Sequence, residues 1–315
     1  MADDTAGSPV DEHLLWTNRS PRDIAQEVAL ASYEVSPDTV RKILTEELEL
    51  HVRQAEKDEP AGENPMRDEQ FEHLAQLRAH YVRQGWPVVS IDTKHKELLG
   101  NFYRAGAAYT SGHVRVWDHD FATFGDGRLV PYGVYDLAAN EGFVLLSRGA
   151  DTSEMACDAL ERWWRVLGQW HWWHASQLLL LCDCGGANGN RCWRFKEDLK
   201  HLAIRLGRTI QVAHYPPHCS KYNPIEHRLF CHLSRSLRGV VLKTMAVARR
   251  FMARTTTATG LEVTIKSTRK LYRKGREATR WFLETMPIRF ARFLPGLNYS
   301  VTPQPVPLNP EVILR

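Results

Sequence analysis

The chain has 315 residues, which is enough for one large domain or two to three small ones. Its 43% of hydrophobic residues and ten tryptophans can build a sizeable core. No stretch approaches about 18 consecutive apolar residues, and no basic start precedes an apolar block near the N-terminus. The sequence therefore predicts neither a membrane span nor a signal peptide and favours a cytoplasmic protein. The six cysteines include no C-x-x-C pair, which argues against a disulfide framework and against the usual zinc spacing.

The net charge of +4 is unevenly distributed along the chain. From Arg228 to Arg280 there are fourteen Lys or Arg residues against two acids, Glu262 and Glu277. Such an asymmetry is typical of a surface that meets phosphates, and a solvated basic face is the alternative. Residues 261–315 are interpreted as a basic C-terminal extension.

The first residues predict a tail followed by two short helices. Residues 1–15 are small and acidic and contain Gly and Pro, so they are expected to be disordered. The dipeptides Ser20-Pro21 and Ser36-Pro37 each precede apolar residues at helical spacing. In both, Ser can cap the free amide groups and Pro suits the first helical position.

Residues 16–50 therefore predict a helix-turn-helix. In such a module the second helix presents its N-terminal side chains to the major groove of DNA, and here these are Thr39, Arg41 and Lys42. Many helix pairs of this length are only structural, which is the alternative interpretation.

Residues 51–85 are expected to form a linker and a connecting helix. The composition from 51 to 63 is charged and contains Pro and Gly, and Asn64-Pro65 then precedes a helical pattern. One face of that helix carries four apolar residues, Phe71, Leu74, Leu77 and Tyr81.

Residues 86–260 predict an α/β domain. Three antiparallel strands come first, one from Val88 to about Phe102 and two that flank the turn at 140–142. A helix, a strand of consecutive leucines from Leu178, a second helix, a further strand and a third helix follow. This order is that of the ribonuclease H-like fold. That fold has a mixed five-stranded sheet flanked by helices, with its first and fourth strands adjacent and parallel.

Three acidic residues stand at the ends of these elements. Asp183 directly follows the leucine strand, and ligands gather at the carboxyl ends of strands in open α/β sheets, although Asp is also a common turn residue. Adjacent first and fourth strands would bring Asp92 close to Asp183, and Glu226, in the first turn of the last helix, is the third candidate. Converging carboxylates repel one another unless cations compensate, and Mg²⁺ prefers oxygen ligands. Two such ions can support an in-line phosphodiester displacement.

Four blocks of the chain are distinctive: SIDTKHKELLGNFY, PYGVYDLAANEGF, LLLLCDCGGANGNR and HYPPHCSKYNPIEHRLF. They closely resemble the characteristic blocks of an insertion-sequence DDE transposase family, the ISAzo type, also called Rhodopirellula-type transposases. The likeness runs from about Trp16 to Thr259 and returns weakly at LPGLNYSV. By this resemblance, Asp92, Asp183 and Glu226 match the three acids of the family's motifs.

The resemblance implies a transposase that cuts donor DNA at the terminal inverted repeats of its element and joins the freed 3′ hydroxyl to target DNA. It implies two Mg²⁺ or Mn²⁺ ions as cofactors, a homo-oligomer on DNA, and a place at the bacterial nucleoid in the cytoplasm rather than at a membrane.

The same resemblance leaves alternatives open. Family members usually carry more sequence before the segment that begins here at Ser8, so a first DNA-binding unit is expected to be missing. A truncated, catalytically inactive copy that only binds DNA is therefore the alternative. A nuclease acting on RNA-containing duplexes is less favoured, because the deep major groove of RNA is closed to the side chains of a helix-turn-helix.

Further DNA contacts are expected around the acids. Lys94 and Lys96 stand beside Asp92, and Asn188 and Arg191 follow the glycine-rich turn at the start of a helix, where phosphate binding is favourable. The remaining expected DNA-binding residues are Lys221, Arg228, Arg235 and Arg238.

Supporting roles are expected for two more residues. Asp136, on a hairpin strand, is expected to stand behind the metal ligands. His227 adjoins Glu226 and is expected either to steady the attacking water or a phosphate, or simply to pack. Five tryptophans from Trp163 to Trp173 suggest base stacking, but their helical spacing favours packing.

Overall fold

The computed structural model describes residues 17–53 and 65–304. The chain divides into two compact units, residues 1–59 and residues 60–315. The predicted disordered tail lies outside the described residues, as does the central part of the predicted linker. The connecting helix belongs to the second unit, so the unit boundary falls within the predicted linker.

The first unit contains two short helices in the positions that the sequence predicts. They are α1 (Pro21–Leu30) and α2 (Pro37–Lys42), and α2 continues as a π-helical turn over Ile43–Glu47. The hydroxyls of Ser20 and Ser36 accept hydrogen bonds from the third amide of each helix, which confirms the predicted caps.

Within the residues that the structure describes, the second unit is built on a nine-stranded mixed sheet. Its strands are β1 (Val88–Thr93), β2 (Glu97–Leu98), β3 (Arg128–Asp136), β4 (Glu141–Ser147), β5 (Gln177–Cys182), β6 (Thr209–His214), β7 (Glu262–Ser267), β8 (Arg289–Phe290) and β9 (Asn298–Val301). Their spatial order is β7-β4-β3-β1-β5-β6-β9-β8, and β2 pairs with β3 beside this path. As predicted, β1, β3 and β4 are antiparallel neighbours, and β1 lies parallel to β5 at the centre.

Helices cover both faces of this sheet. They are α3 (Arg67–Arg83), α4 (Ser153–Trp163), α5 (Gln169–His171), α6 (Trp193–Leu206), α7 (Cys231–Ser236), α8 (Met245–Met252) and α9 (Arg280–Thr285). π-Helical turns link α4 to α5 and precede α7. In the described part of the chain, no helix combines the length and apolarity needed to cross a bilayer.

The leucine run forms a strand because both of its faces are covered. Leu180 packs into the cluster made with α4 and α6, while Leu179 and Leu181 pack on the other side with Leu74 and Tyr81 of α3. A strand buried on two faces has no polar side to alternate with, which explains the continuous apolar run.

The predicted first strand is wrong in its length. β1 ends at Thr93, and the chain turns before the short β2 because the ammonium of Lys94 forms a buried ion pair with Glu97 at 2.5 Å. The amide of Lys94 donates to the carbonyl of Pro131 at 3.0 Å, which fixes the start of this turn.

The predicted five-stranded sheet is too small. The segment interpreted as a C-terminal extension adds β7 beside β4, β9 beside β6, and β8 beside β9. β7 is a half-exposed edge strand with charged ends, so its sequence lacks the apolar run that reveals a central strand.

A glycine opposite the first acid lets the helix that carries Glu226 approach the sheet. Gly133 of β3 is paired with Asp92 of β1. A Cβ atom at this glycine would lie 2.5 Å from a ring carbon of Phe230 and 2.8 Å from Cδ1 of Ile225. The helix therefore packs directly on bare backbone.

We predict that Gly133→Ala lowers the free energy of unfolding by about 1–3 kcal/mol, because buried side chains must move to admit the methyl group. Gly112→Ala is the control, because no atom lies within 4 Å of the added Cβ. Urea denaturation of the three proteins measures the difference. Equal stability of Gly133→Ala and wild type would contradict the tight packing.

Candidate active site

Two strands bring the first two acids to the same edge of the sheet. The parallel register of β1 and β5 pairs Ser90 with Leu181, and its continuation sets Asp92 level with Asp183. Both carboxylates line one cavity of about 480 Å³. The predicted neighbourhood of these two residues at the carboxyl ends of the central strands is thus present in the structure.

A buried polar clamp places the third acid beside them. The hydroxyl of Ser90 contacts the side-chain oxygen of Asn223 and accepts a hydrogen bond from the amide of Ile225 at 3.2 Å. The side-chain amide of Asn223 donates to the carbonyl of Ile91 at 3.2 Å. Ser90 and Asn223 are fully buried. The clamp ties the start of the Glu226 helix to β1, the strand that carries Asp92, and the charge of Glu226 acts on Asp92.

The pKa values of these acids are raised. Burial, followed by the charge of Asp183 and smaller effects of Glu226 and Asp151, raises the pKa of Asp92 to about 8. Burial, with Glu226 and Asp151, raises the pKa of Asp183 to about 6. Burial also raises the pKa of Glu226.

A further carboxylate, which the sequence did not predict, lines the same cavity as Asp92 and Asp183, whereas Glu226 is not among the residues of its wall. Asp151 lines it and accepts a hydrogen bond from the hydroxyl of Thr93 at 2.8 Å. Asp151 lies between β4 and α4. The order of the strands could have indicated this position. β1 and β4 are each antiparallel to β3, so β1 and β4 run in the same direction. The residues after β4 therefore lie at the same edge as the ends of β1 and β5.

The donor set suits a hard divalent cation. Carboxylates crowded in a buried site are stabilised by positive charge, and Mg²⁺ and Mn²⁺ take oxygen ligands. One carboxylate oxygen of Asp183 is buried and has no hydrogen-bond partner among the residues that the structure describes. Across residues 17–53 and 65–304, however, no three His, Cys, Asp or Glu side chains are placed so that they could already hold one ion. The site therefore matches a divalent cation in the type of its ligand atoms and not in their placement.

Lys94 does not occupy the position expected of a phosphate ligand. Lys94 lines the cavity, but its ammonium is buried and bound by Glu97. The other carboxylate oxygen of Glu97 binds Arg104 at 2.8 Å.

Lys96 and Asn188 also line the cavity, as expected for residues near the acids. Arg191 is exposed and is not among the residues that form its wall.

Asp136 and His227 make other contacts than those expected. Asp136 accepts hydrogen bonds from Trp172 Nε1 at 2.7 Å and from the amides of Ala138 and Ala139 at 3.1 and 3.2 Å. Asp136 pairs with Val89, which lies three residues before Asp92 and thus about 10 Å from it along the strand. Asp136 therefore stabilises the hairpin and does not support the acids.

His227 makes a local contact. One of its ring nitrogens contacts the carbonyl of Lys221.

The other expected DNA-binding side chains are exposed. In the first unit these are Thr39, Arg41 and Lys42, and in the second Lys221, Arg228, Arg235 and Arg238.

The tryptophans fall into two groups by burial. Trp163 and Trp164 are buried in the core as expected, whereas Trp170 and Trp173 are each 73% exposed.

Comparison with solved structures finds similar folds among transposase complexes. One is a Mos1 transposase paired-end complex with left transposon end (TM-score 0.44, 14% identity, covering 74% of this chain and 65% of that chain). A second is a pre-cleavage Mos1 transpososome (TM-score 0.45, 11% identity, 74% and 66%). A third is a mariner Mos1 paired end complex with Mg (TM-score 0.41, 13% identity, 79% and 75%). The chain thus spans just under two thirds of the first two proteins.

Comparison with curated proteins finds no match. The sequence model of one family, the Rhodopirellula transposase DDE domain, matches residues 1–303. This match is longer than the resemblance seen in the sequence blocks and includes the segment that contributes β7 to β9. The chain therefore belongs to the Rhodopirellula transposase DDE domain family.

Proposed function

We propose that the chain is an insertion-sequence transposase that cuts and joins DNA strands at the ends of its element, with Asp92, Asp183 and Glu226 as the catalytic acids. The observation that carries this proposal is geometric: strand register sets Asp92 level with Asp183 in one cavity, and the clamp of Ser90 and Asn223 ties the start of the Glu226 helix to the same strand. Burial raises the pKa of all three acids, and neighbouring carboxylates raise the pKa of Asp92 and Asp183 further. A protein core gains nothing from such an arrangement, whereas a site for cations does.

Two Mg²⁺ or Mn²⁺ ions are the proposed cofactors. Asp92, Asp183 and Glu226 would hold them, and Asp151 lies close enough to Thr93 and the other acids to assist. When bound, the ions supply positive charge for the attacking and leaving oxygens of an in-line phosphodiester displacement. The donor set supports a divalent cation, because the buried Asp183 oxygen lacks any partner in the described residues.

The chain's own residues position the reaction. The clamp of Ser90 and Asn223 orients the helix of Glu226. Lys96 and Arg128 line the cavity and offer donors to a phosphate, whereas the side-chain nitrogen of Asn188 is buried in its wall. The order β4-β3-β1-β5-β6 at the centre of the sheet supports the assignment to the ribonuclease H-like fold.

Duplex DNA is the proposed partner, comprising the terminal inverted repeats and the target. We propose the first unit as the helix-turn-helix, with Thr39, Arg41 and Lys42 exposed on or near α2 as base or phosphate contacts. Assembly as a homo-oligomer on DNA, in the cytoplasm at the nucleoid, belongs to the same proposal.

A DNA-binding protein without catalysis is the second candidate. The observation in its favour is that the described acids do not form a preassembled three-ligand group. This candidate keeps the basic surface and the helix-turn-helix but not strand cleavage.

We predict that Asp92→Asn, Asp183→Asn and Glu226→Gln each reduce strand cleavage in Mg²⁺ by at least about a hundredfold, because each removes a charge that holds the metal. DNA binding should stay within about twofold, because the basic surface is intact. Cleavage of labelled terminal-repeat DNA and gel-shift affinity measure the two effects. Cleavage at the wild-type rate by any variant removes that residue from the site, and a wild type that binds without cleaving favours the second candidate.

We predict that the metal-free protein loses stability as pH rises from about 4 to about 8. In this range Asp92 and Asp183 ionise in the unfolded chain before they do so in the fold, where their pKa values are about 8 and about 6, so unfolding releases protons. Asp92→Asn should therefore raise the melting temperature in EDTA at pH 8 more than at pH 5. Asp118→Asn is the control, because the Asp118 side chain is 85% exposed. Mg²⁺ should raise the melting temperature of the wild type at pH 8 more than that of Asp92→Asn, and equal shifts would contradict a metal site at Asp92.

We predict that Arg41→Ala weakens binding to the terminal repeat by about 1–3 kcal/mol but weakens binding to random duplex DNA less, because base contacts carry specificity. Arg22→Ala, on α1, is the matched control. Fluorescence anisotropy with the two DNA sequences measures the effect. An equal loss on both sequences would make Arg41 a phosphate contact.

A further inference from the structure

A second groove continues from the acidic cavity. It has a volume of about 410 Å³ and shares His95, Lys96 and Leu98 with that cavity. Beyond the shared residues it is lined on one side by Tyr103 and on the other by Arg238 after the end of α7. The two cavities together form one path from the acids to α7.

The groove is a built feature of the fold. Gly106 and Gly239, both at positive φ, let two backbone segments touch, and a Cβ on Gly106 would lie 2.6 Å from the Gly239 amide nitrogen. That amide donates to the carbonyl of Ala105 at 3.2 Å. On the side of the acids, the ion pairs of Glu97 with Lys94 and Arg104 hold the wall together. Both walls are thus fixed by specific contacts.

The lining of the groove has the chemistry of a site for single-stranded nucleic acid. Lys96 and Arg238 supply positive charge, and Arg238 is exposed. Tyr103 is 65% exposed and offers an aromatic ring in the same groove. Two acids also line the groove: the charge of Glu97 is balanced by its ion pairs with Lys94 and Arg104, and Asp120 is exposed at the surface. Positive charge that follows a backbone, together with a ring on which a base can stack, is the usual arrangement for binding an unpaired strand.

The groove reaches the segment that follows Glu226 in the chain. Glu226 begins the π-helical turn that precedes α7, and Arg238 lies two residues after the end of α7. The groove therefore extends from the residues shared with the acidic cavity to the segment after α7.

We propose that this groove holds the unpaired DNA segment next to the reacting phosphodiester, with phosphates on Lys96 and Arg238 and a base stacked on Tyr103. The proposal rests on the proposed transposase function and adds a path for the strand that the acids act on. It also implies that the ends of the DNA are locally opened when they occupy the site.

The test compares a blunt duplex with the same duplex bearing an unpaired extension of about five nucleotides that contains 2-aminopurine, in EDTA so that no cleavage occurs. The wild type is expected to bind the extended DNA about tenfold more tightly and to quench the 2-aminopurine. Lys96→Ala with Arg238→Ala should remove this preference and lower the slope of log affinity against log salt by about 1.4, at about 0.7 per phosphate contact. Tyr103→Ala should abolish the quenching and weaken binding about fivefold.

Matched controls lie at the opposite edge of the sheet. Arg83→Ala with Arg165→Ala removes two exposed charges, and Trp170→Ala removes an exposed ring. These variants should keep the preference, the salt slope and the quenching of the wild type. If the groove variants keep the wild-type salt slope and the wild-type quenching, the proposal that the groove binds an unpaired strand is wrong. If no DNA is cleaved in Mg²⁺ but the groove variants lose the preference, the catalytic function fails and the groove stands.

Discussion

Repulsion among buried carboxylates is the constraint on which the rest of the second unit depends. Burial and the charges of neighbouring carboxylates raise the pKa of Asp92 to about 8 and that of Asp183 to about 6, so the charged form of each is costly. The cost is tolerated because Asp92 and Asp183 stand at the ends of β1 and β5, whose apolar side chains are buried. Burial of the core stabilises the fold, and this stabilisation offsets the repulsion between like charges at the carboxyl ends of the strands.

The third acid is held by contacts of a different kind from those of the first two. Asp92 and Asp183 are set by strand register, but Glu226 comes from a π-helical turn that must be docked on the sheet. Ser90 and Asn223 dock it through buried hydrogen bonds, and Gly133 removes the side chain that would block it. A buried polar pair with all its partners present fixes one geometry more strictly than apolar packing does.

The sequence predicts the central strands and the three acids because their signals are strong: an unbroken leucine run, a hairpin turn and capped helices. It does not predict β7 to β9, which are short edge strands with polar residues, nor the turn after Thr93, which depends on the partner that Lys94 finds. Asp136 shows the same limit, since its environment is set by Trp172 on a distant element. Local pattern determines elements that are buried, whereas side-chain partners across the fold depend on tertiary contacts.

The partner of Lys94 also determines the electrostatic character of the site. If this ammonium faced the acids directly, it would neutralise part of their charge and reduce their need for a cation. Glu97 binds it instead, and Arg104 completes a buried network in which Glu97 carries two cations. The acids therefore remain short of positive charge, while cationic side chains from Lys96 to Arg238 line the adjoining groove. Acids beside a groove with exposed cationic side chains are the arrangement that the proposed function requires, because a DNA strand carries a negative charge at every phosphate and the proposed metal ions would sit at the acids.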